Sequence, residues 1–193
     1  MAVARRRWRR RQRKLNPKRL VFVDETALNL GMTRRGGRCP RGERLVCKTP
    51  FAAWKTVTMV AALRHDRLTA PMLLEGAMTA EIFRAYIEKV LGPTLRRGDI
   101  VVMDNVPLHK TRRVRDALET FGVTVPEFPA YSPDFNAIEQ PIGTLKSHLR
   151  KFGARTMRAL NAAVRIGLKR FTPDECAAYV RHAGYGQRKR KIV

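Results

Sequence analysis

RLVFVDET, residues 19–26, is a short apolar run that leads into two acids. Such a run is typical of a strand buried inside a sheet. A second run of the same kind, DIVVMDN at residues 99–105, follows Gly98 and again leads into an acid. Asp24 and Asp104 are therefore predicted to lie where two central strands finish. In α/β sheets the crevice beyond the strand ends is the usual place for a functional site.

The segments between and after these two runs follow strand and helix patterns in turn. The glycine-rich residues 31–48 are typical of a hairpin or loop, and the β-branched residues 55–64 predict another strand. Helices are predicted at residues 79–91, 112–121, 138–152 and 160–171, and a strand at residues 123–128. A last helix is predicted to begin with a capping box from Thr172 to Glu175. Early strands followed by alternating helices and strands predict an α/β fold, a mixed sheet flanked by helices.

Positive charge is the strongest feature of the composition. Forty Lys and Arg residues face sixteen Asp and Glu residues, which gives a net charge of +24 and a pI near 11.4. An excess of this size repels itself unless a polyanion neutralises it. Nucleic acid is the commonest such partner. An anionic membrane surface is the rival partner, but no helix with a large apolar face accompanies the basic runs.

The chain divides into one predicted domain and two basic ends. Residues 18–185 form the domain, residues 1–17 a basic arm and residues 186–193 a basic tail. The arm is predicted to be flexible or to become helical on its partner, and Trp8 within it either stacks on a base or packs loosely. No apolar run approaches the roughly 18 residues that span a bilayer, which indicates a soluble, cytoplasmic protein. The three cysteines lack metal-type spacing.

The segment YSPDFNAIEQ, residues 131–140, sets a stiff turn before a third acid, Glu139. The turn either aims the carboxylate at a shared site or leads into a capping box, with Asn136 as the cap and Glu139 reaching back. Pro141 follows, and a proline inside a helix costs up to roughly 3 kcal/mol. The helix is therefore expected to begin later or to bend at Pro141.

Asp24, Asp104 and Glu139 come from three separate elements and could converge on one site. Adjacent carboxylates repel each other, so such a cluster needs a proton or a cation. Mg²⁺ fits because it takes hard oxygen ligands and needs only one or two carboxylates per ion. Two such ions about 3.5–4 Å apart would activate the attacking oxygen and stabilise the leaving oxygen of a phosphodiester. Each acid taken alone is also explained as an ordinary turn or cap residue.

Three motifs carry a family resemblance: VFVDET, then VVMDN followed by His109, then YSPDFN followed by Ile138 and Glu139. Together with WKTVTMVAAL and APMLLEGAMT, they closely resemble the catalytic domain of DDE transposases of the mariner superfamily, in its bacterial insertion-sequence branch. The resemblance covers roughly residues 18–185. The 34 residues between Asp104 and Glu139 match the spacing typical of that superfamily.

The resemblance implies an RNase H-like fold in which Asp24, Asp104 and Glu139 are the catalytic, metal-binding triad that uses two Mg²⁺ or Mn²⁺ ions. It implies cleavage at transposon ends and strand transfer into target DNA at a TA dinucleotide. A homodimer on DNA, associated with the nucleoid, would perform both steps. Family members usually begin with helix-turn-helix domains, so the short arm implies a separate helix-turn-helix subunit or a truncated, even inactive, copy.

Several further residues are candidates for roles around the triad. Glu25 is expected on the opposite face of its strand from Asp24, in a structural or supporting role at best. Asn105 and His109 follow Asp104 and are expected beside the site, although His109 is equally well explained as a loop histidine. A solvated face explains any one basic residue about as well as a phosphate contact does. Phosphate contacts are predicted for Arg34, Arg35, Arg38, Lys146, Arg150 and Lys151.

Two alternative functions stay open at this point. An RNase H-like nuclease would cut DNA without joining ends. A basic DNA-binding remnant would bind DNA with a steep salt dependence, while its acids no longer assemble a site.

Overall fold

A computed structural model describes residues 2–34, 36–46 and 55–186. Arg35, Cys47 and the basic tail from residue 187 onward lie outside the described residues. The strands are β1 (Leu20–Asn29), β2 (Thr56–Leu63), β3 (Leu68–Glu75) and β4 (Ile100–Met103). They form one sheet in the order β3-β2-β1-β4.

The central strand β1 joins an antiparallel half of the sheet to a parallel half. It pairs with β2 in antiparallel register along residues 22–29 and with β4 in parallel register along residues 20–23. The side chains of residues 20–23 are fully buried. Helices cover both faces of the sheet at this point, which explains why the run is continuously apolar instead of alternating. The predicted mixed sheet is confirmed.

The edge strand β3 has no counterpart among the predicted strands. Its run LTAPMLLE contains Pro71, which cannot donate a hydrogen bond to a neighbouring strand and so argues against strand structure. The structure places Pro71 at an irregularity, where the register between β2 and β3 shifts from Val60 to Ala62. A bulge on an edge strand is one of the few places in a sheet that accept proline.

The strand predicted at residues 123–128 is wrong, because only one bridge forms there. Thr124 bridges Ile100 of β4, with hydrogen bonds of 2.9 Å from Val101 N–H to the Thr124 carbonyl and from Thr124 N–H to the Asp99 carbonyl. Pro126 follows two residues later and has no N–H with which to continue the ladder.

Helices flank the sheet on both faces, and the predicted helices are confirmed with ends shifted by a few residues. The described part of residues 31–48 is irregular, as expected for a loop. The predicted capping box is present at Thr172 and Glu175, and a π-helical turn, Ile87–Leu91, extends α2. No helix in the described part of the chain has the length and apolar character needed to cross a membrane. The helices are α1 (Ala2–Gln12), α2 (Ala80–Tyr86), α3 (Arg112–Glu119), α4 (Glu139–Phe152), α5 (Met157–Leu168) and α6 (Pro173–His182).

Alternate residues of β1 face two separate apolar cores. Leu20 and Phe22 belong to a core that also contains residues of α1, α4, α5 and α6. Val21 and Val23 belong to the other core, which contains residues of α2 and α3. This division follows from the period of two in a strand. The result is a helix–sheet–helix arrangement with β1 at its centre.

The basic N-terminal segment packs into the first of these cores. Trp8 of α1 is only 3% exposed. Its indole N–H donates to the Tyr185 hydroxyl over 3.1 Å, and its ring meets Phe128 edge-on at 5.1 Å. Trp8 therefore neither packs loosely nor is free to stack on a base. Residues 2–12 form a helix on the domain itself instead of a flexible arm, because Trp8 and Gln12 bury one face of α1 while most of the arginines stay exposed.

Replacing Trp8 by alanine is expected to lower the free energy of unfolding by about 3–5 kcal/mol, because the change removes a large buried ring from the core. Urea denaturation followed by circular dichroism measures this. The matched control is Arg10→Ala on the same helix, where the exposed side chain predicts a change within about 0.5 kcal/mol. Equal stabilities of the two variants would show that α1 does not dock as described.

Candidate active site

Asp24 lies in the middle of β1, and the prediction that it ends a strand is wrong. The strand continues to Asn29 because it stays paired with β2, whereas the parallel partner β4 stops at Met103, opposite Val23. Asp24 is thus the first residue of β1 beyond the end of β4. Its side chain points into a largely buried position, with 9% of the residue exposed, and its Oδ1 accepts a 2.9 Å hydrogen bond from the Glu25 amide.

Asp104 follows the last residue of β4 directly, as the sequence predicts. Val23 and Met103 are partners in the parallel register. The residues that follow them, Asp24 and Asp104, therefore emerge side by side at the same end of neighbouring strands. After Asp104 the chain leaves the sheet and forms a short 3₁₀ turn at residues 107–110.

Glu139 is the first residue of α4. The alternative capping box from Asn136 to Glu139 is absent, because Ile138 occupies the N-cap position and makes no side-chain capping bond. Asn136 uses its backbone carbonyl instead, which accepts the Glu139 amide at 3.3 Å. The expected later start of the helix is also wrong. Pro141 lies in the first turn, where amide groups have no partner within the helix, so its missing N–H removes no helical hydrogen bond.

The three predicted acids share one electrostatic environment around Asp24. Burial, followed by the negative charges of Glu139, Asp104 and Glu25, raises the pKa of Asp24 to about 8. Carboxylates act on one another in this way only at close range. The structure therefore brings together acids from β1, from the end of β4 and from the start of α4, although they are far apart in sequence.

A buried histidine links a fourth acid to this cluster. His109 Nε2 lies 2.7 Å from Glu25 Oε1, and His109 Nδ1 lies 2.8 Å from Asp104 Oδ1. Both ring nitrogens face carboxylate oxygens, which favours a proton on each of them. Burial lowers the pKa of His109, but hydrogen bonds to Asp104 and Glu25 and their charges outweigh burial and raise that pKa to about 9.

Glu25 takes part in the site through a contact that the sequence pattern does not show. It was expected to have at most a supporting role, on the face of β1 opposite Asp24, and alternation does separate adjacent side chains. The alternation of side chains does not predict that His109 contacts both Glu25 and Asp104. The His109 ring also packs against the Phe83 ring, with 4.4 Å between their centroids. The available signal was a pair of adjacent acids together with a histidine five residues after Asp104.

One oxygen of the Asp104 carboxylate is buried beside His109. Asp104 Oδ1 lies 2.8 Å from His109 Nδ1, and the Asp104 main-chain carbonyl lies 3.4 Å from the same nitrogen. Glu25, Asp104 and His109 offer ligand atoms within 4.8 Å of one another. A doubly protonated His109 has no free lone pair. Carboxylate oxygens, which hard cations prefer, are therefore the donors that this site offers.

The family model of the DDE superfamily endonucleases matches residues 19–161, which include all three acids. The chain belongs to the DDE endonuclease superfamily. The resemblance found in the sequence is confirmed at this level, whereas membership of the bacterial insertion-sequence branch stays a prediction.

The DDE domain is similar to solved structures of the Mos1 mariner transposase. The Mos1 strand transfer complex has a TM-score of 0.73 at 18% identity, over 92% of this chain and 55% of that chain. The Mos1 paired end complex with Mn has a TM-score of 0.71 at 18% identity, over 94% of this chain and 57% of that chain. The Mos1 catalytic domain has a TM-score of 0.61 at 20% identity, over 94% of this chain and 83% of that chain.

The likeness to the Mos1 catalytic domain confirms the predicted RNase H-like fold. The chain spans just over half the length of the Mos1 chains in the two complexes. Comparison with curated protein sequences gives no significant match.

Some predicted phosphate contacts of the DDE domain converge in one cleft, here called the α4 cleft. Arg34 lies across it from Ser147, Arg150 and Lys151 of α4, and its volume is about 410 Å³. Ser147 lies eight residues beyond Glu139 (147 − 139), about 12 Å along the helix at 1.5 Å per residue. The other predicted contacts are Arg38, which is exposed, Lys146, which is half-buried, and Arg35, which lies outside the described residues.

Asn105 lines a second cleft, of about 660 Å³, together with Asp104 and His109. The far side of this cleft is formed by residues 123–128, which the missing fifth strand leaves irregular. Asn105 thus lies next to the acid cluster, and its role in the site stays a prediction.

With metal chelated, the Asp24→Asn domain is expected to melt several degrees above wild type at pH 8–9, and the difference should shrink toward pH 4. The folded-state pKa of Asp24 is raised to about 8. Between pH 4 and pH 8 the unfolded chain has released this proton while the folded chain retains it, so wild type loses stability as the pH rises. Each 1 kcal/mol moves the melting temperature by about 2–4 °C in a chain of this size.

Thermal denaturation in EDTA across this pH range makes the measurement. Asp116→Asn on α3 is the control, because that side chain is well exposed. Parallel melting curves of Asp24→Asn and wild type at every pH would contradict the raised pKa.

Proposed function

We propose that this DDE domain is the catalytic part of a metal-dependent DNA transposase, which cleaves DNA and transfers the cut strand. The proposal rests on the position of Asp24 beyond the end of β4, next to Asp104, and on the negative charges of Glu139 and Asp104, which help to raise the pKa of Asp24. Membership of an endonuclease superfamily supports phosphodiester cleavage. The similar Mos1 structures include a strand transfer complex, which favours a transposase over a nuclease that never joins ends.

Asp24, Asp104 and Glu139 are proposed to hold two divalent ions, Mg²⁺ or Mn²⁺. Their oxygens are hard ligands, and Asp104 Oδ1 is already buried at the cluster. Mos1 structures with Mn and with Mg support the choice of ions. When bound, such ions polarise the phosphodiester and activate the attacking oxygen.

The protein's own groups prepare this site. Asp24 must release its proton to act as a ligand, so metal binding at neutral pH is coupled to proton release. His109 holds the Asp104 carboxylate through a contact of 2.8 Å, and Glu25 holds the other ring nitrogen of His109 through a contact of 2.7 Å, which fixes the orientation of the ring. Glu139 enters from α4, whose apolar face is anchored in the core by Ile142 and Leu145.

DNA is the proposed substrate, and its backbone is proposed to run along α4. The net charge of +24 supplies the attraction for phosphate groups. The α4 cleft lies about 12 Å from Glu139 along the helix, which corresponds to about three or four base pairs of B-DNA. Arg34, Arg150 and Lys151 would bind phosphates there while the bond to be cut lies at the acids.

The finer features of transposition are proposed from the family resemblance. The domain would act on transposon ends and on a TA target, as a homodimer on DNA, in the cytoplasm and associated with the nucleoid. A separate helix-turn-helix subunit would recognise the ends. The domain covers 55% of the chain in the Mos1 strand transfer complex.

Mn²⁺-dependent cleavage and strand transfer are the expected activities. Asp104→Ala should lower both by roughly 10³-fold or more, because the site loses a ligand that no neighbour replaces. The assay follows labelled transposon-end DNA incubated with a target duplex, and Asp116→Ala serves as the control because that residue is exposed on α3.

The products separate the three candidate functions. Nicked DNA without joined product would identify a nuclease. DNA binding without any metal-dependent cleavage would identify a remnant. Equal activity of Asp104→Ala and wild type would remove Asp104 from the mechanism.

Arg150→Gln is expected to weaken DNA binding about equally for all sequences and to reduce the slope of log K against log salt by about 1, because one phosphate contact is lost. Fluorescence anisotropy at several salt concentrations measures this slope. Arg158→Gln on α5 removes the same charge from an exposed position that does not line the α4 cleft. Identical slopes for the two variants would contradict the proposed path.

A further inference from the structure

The N-terminal helix α1 contacts the turn that leads to Glu139. Arg5 Nη1 donates to Asp134 Oδ1 over 2.8 Å, and Nη2 donates to Asp134 Oδ2 over 2.7 Å. Nη1 also donates to Ser132 Oγ over 2.8 Å. Paired contacts between a guanidinium and a carboxylate fix geometry as well as distance. The pair joins residues that are 129 positions apart in sequence.

A second set of contacts, made by Tyr185, fixes the backbone of the same turn. The Tyr185 hydroxyl donates to the Phe135 carbonyl over 2.8 Å and accepts the Trp8 indole N–H over 3.1 Å. The Arg5 guanidinium lies over the Phe135 ring, 4.6 Å from its centroid. Arg5 thus holds Asp134 directly through its carboxylate, whereas Trp8 reaches the Phe135 backbone only through the Tyr185 hydroxyl.

The turn begins with Tyr131, whose backbone is strained and whose side chain is exposed to solvent. Tyr131 has φ of 50°, in the left-handed region, and is 87% exposed. Such a conformation persists only where surrounding contacts impose it. Ser132 Oγ donates to the Ala130 carbonyl over 3.0 Å while it accepts from Arg5. Arg5 therefore belongs to the contacts that impose the conformation.

Short backbone links carry this geometry forward to Glu139. The Asn136 amide donates to the Pro133 carbonyl over 2.9 Å, and the Glu139 amide donates to the Asn136 carbonyl over 3.3 Å. No side chain caps α4 at Ile138. The Ser132–Asp134 turn thus leads through two backbone hydrogen bonds into the first residue of α4, Glu139.

We propose that Arg5 is a positioning residue for the metal site: through Asp134 it holds the turn that aims Glu139. This inference rests on the proposed function, since it gives Glu139 a role as a metal ligand. It makes α1 a part of the active site, although none of its residues is one of the proposed ligands.

The rival role for Arg5 is a simple phosphate contact. Two observations favour positioning. Both terminal nitrogens of Arg5 already bind Asp134, and the hydrogen bond from Arg5 lowers the pKa of Asp134, which keeps that partner ionised at neutral pH. Arg10, by contrast, is exposed on the same helix and provides a control of equal charge.

Mn²⁺ affinity of the DNA-free domain, measured by electron paramagnetic resonance titration, tests the inference without any catalytic readout. Arg5→Gln and Asp134→Asn should each weaken Mn²⁺ binding by about 10-fold or more, as expected for partners that orient a ligand. The double variant should be no weaker than either single variant, because both remove the same contact. Arg10→Gln should bind Mn²⁺ as wild type does. Thermal melting of each variant separates this effect from loss of fold.

Asp134→Asn keeps the experiment decisive if Arg5→Gln unfolds, because the Asp134 side chain is half exposed and nearly isosteric with asparagine. The inference is overturned if Asp134→Asn binds Mn²⁺ like wild type, or if Arg5→Gln matches Arg10→Gln. Wild type that binds no Mn²⁺ would overturn this inference and the proposed metal site together. Wild type that binds Mn²⁺ but neither cuts nor joins DNA would overturn the proposed function alone, and the comparison of variants would still decide the role of Arg5.

Discussion

Negative charge buried at the edge of an apolar core is the constraint on which the site depends. Asp24 lies on a nearly buried strand position, with the charges of Glu139, Asp104 and Glu25 around it. A buried carboxylate without a partner costs several kcal/mol, so such a cluster persists only when something neutralises it. In the metal-free chain a proton on Asp24 and an imidazolium at His109 do so. Replacing the proton by divalent ions is the change that the proposed function requires.

The fold maintains this unfavourable arrangement by apolar packing on both sides of β1. Because β4 ends at Met103 while β1 continues, no strand pairs with β1 on that side beside Asp24. This leaves space in which α4 can place Glu139. Ile138 and Leu145 are almost completely buried and hold α4 against the sheet. Hydrophobic burial in the two cores thus offsets the repulsion between the acids, and the position of each carboxylate is set by a different element.

Local sequence patterns predicted much of the fold and of the site. The features that they missed depend on contacts between residues far apart in the sequence. The buried run before Asp24, the helices and the capping box at Thr172 depend on neighbours in sequence, and patterns found them. Strand β3, with Pro71 at a bulge, and the single bridge at Thr124 depend on strand pairing instead. Trp8 lies in a segment whose dense positive charge predicts a flexible arm. Its partners Phe128 and Tyr185 lie 120 or more positions away in the sequence. The link from Glu25 through His109 to Asp104 joins three segments in the same way.

Two ion pairs show how a strongly basic chain organises an acidic centre without neutralising it. Buried Arg64 contacts Asp99 at 2.8 Å, and Asp99 lies five residues before Asp104 (104 − 99). Arg5 contacts Asp134 at 2.7 Å, and that acid lies five residues before Glu139 (139 − 134). In both places an arginine fixes the segment that leads into a site acid. Arginine is always charged, so inside the cluster it would compete permanently with a divalent ion. Paired with an acid five residues earlier in the chain, it fixes the segment and leaves the oxygens of the site acid free.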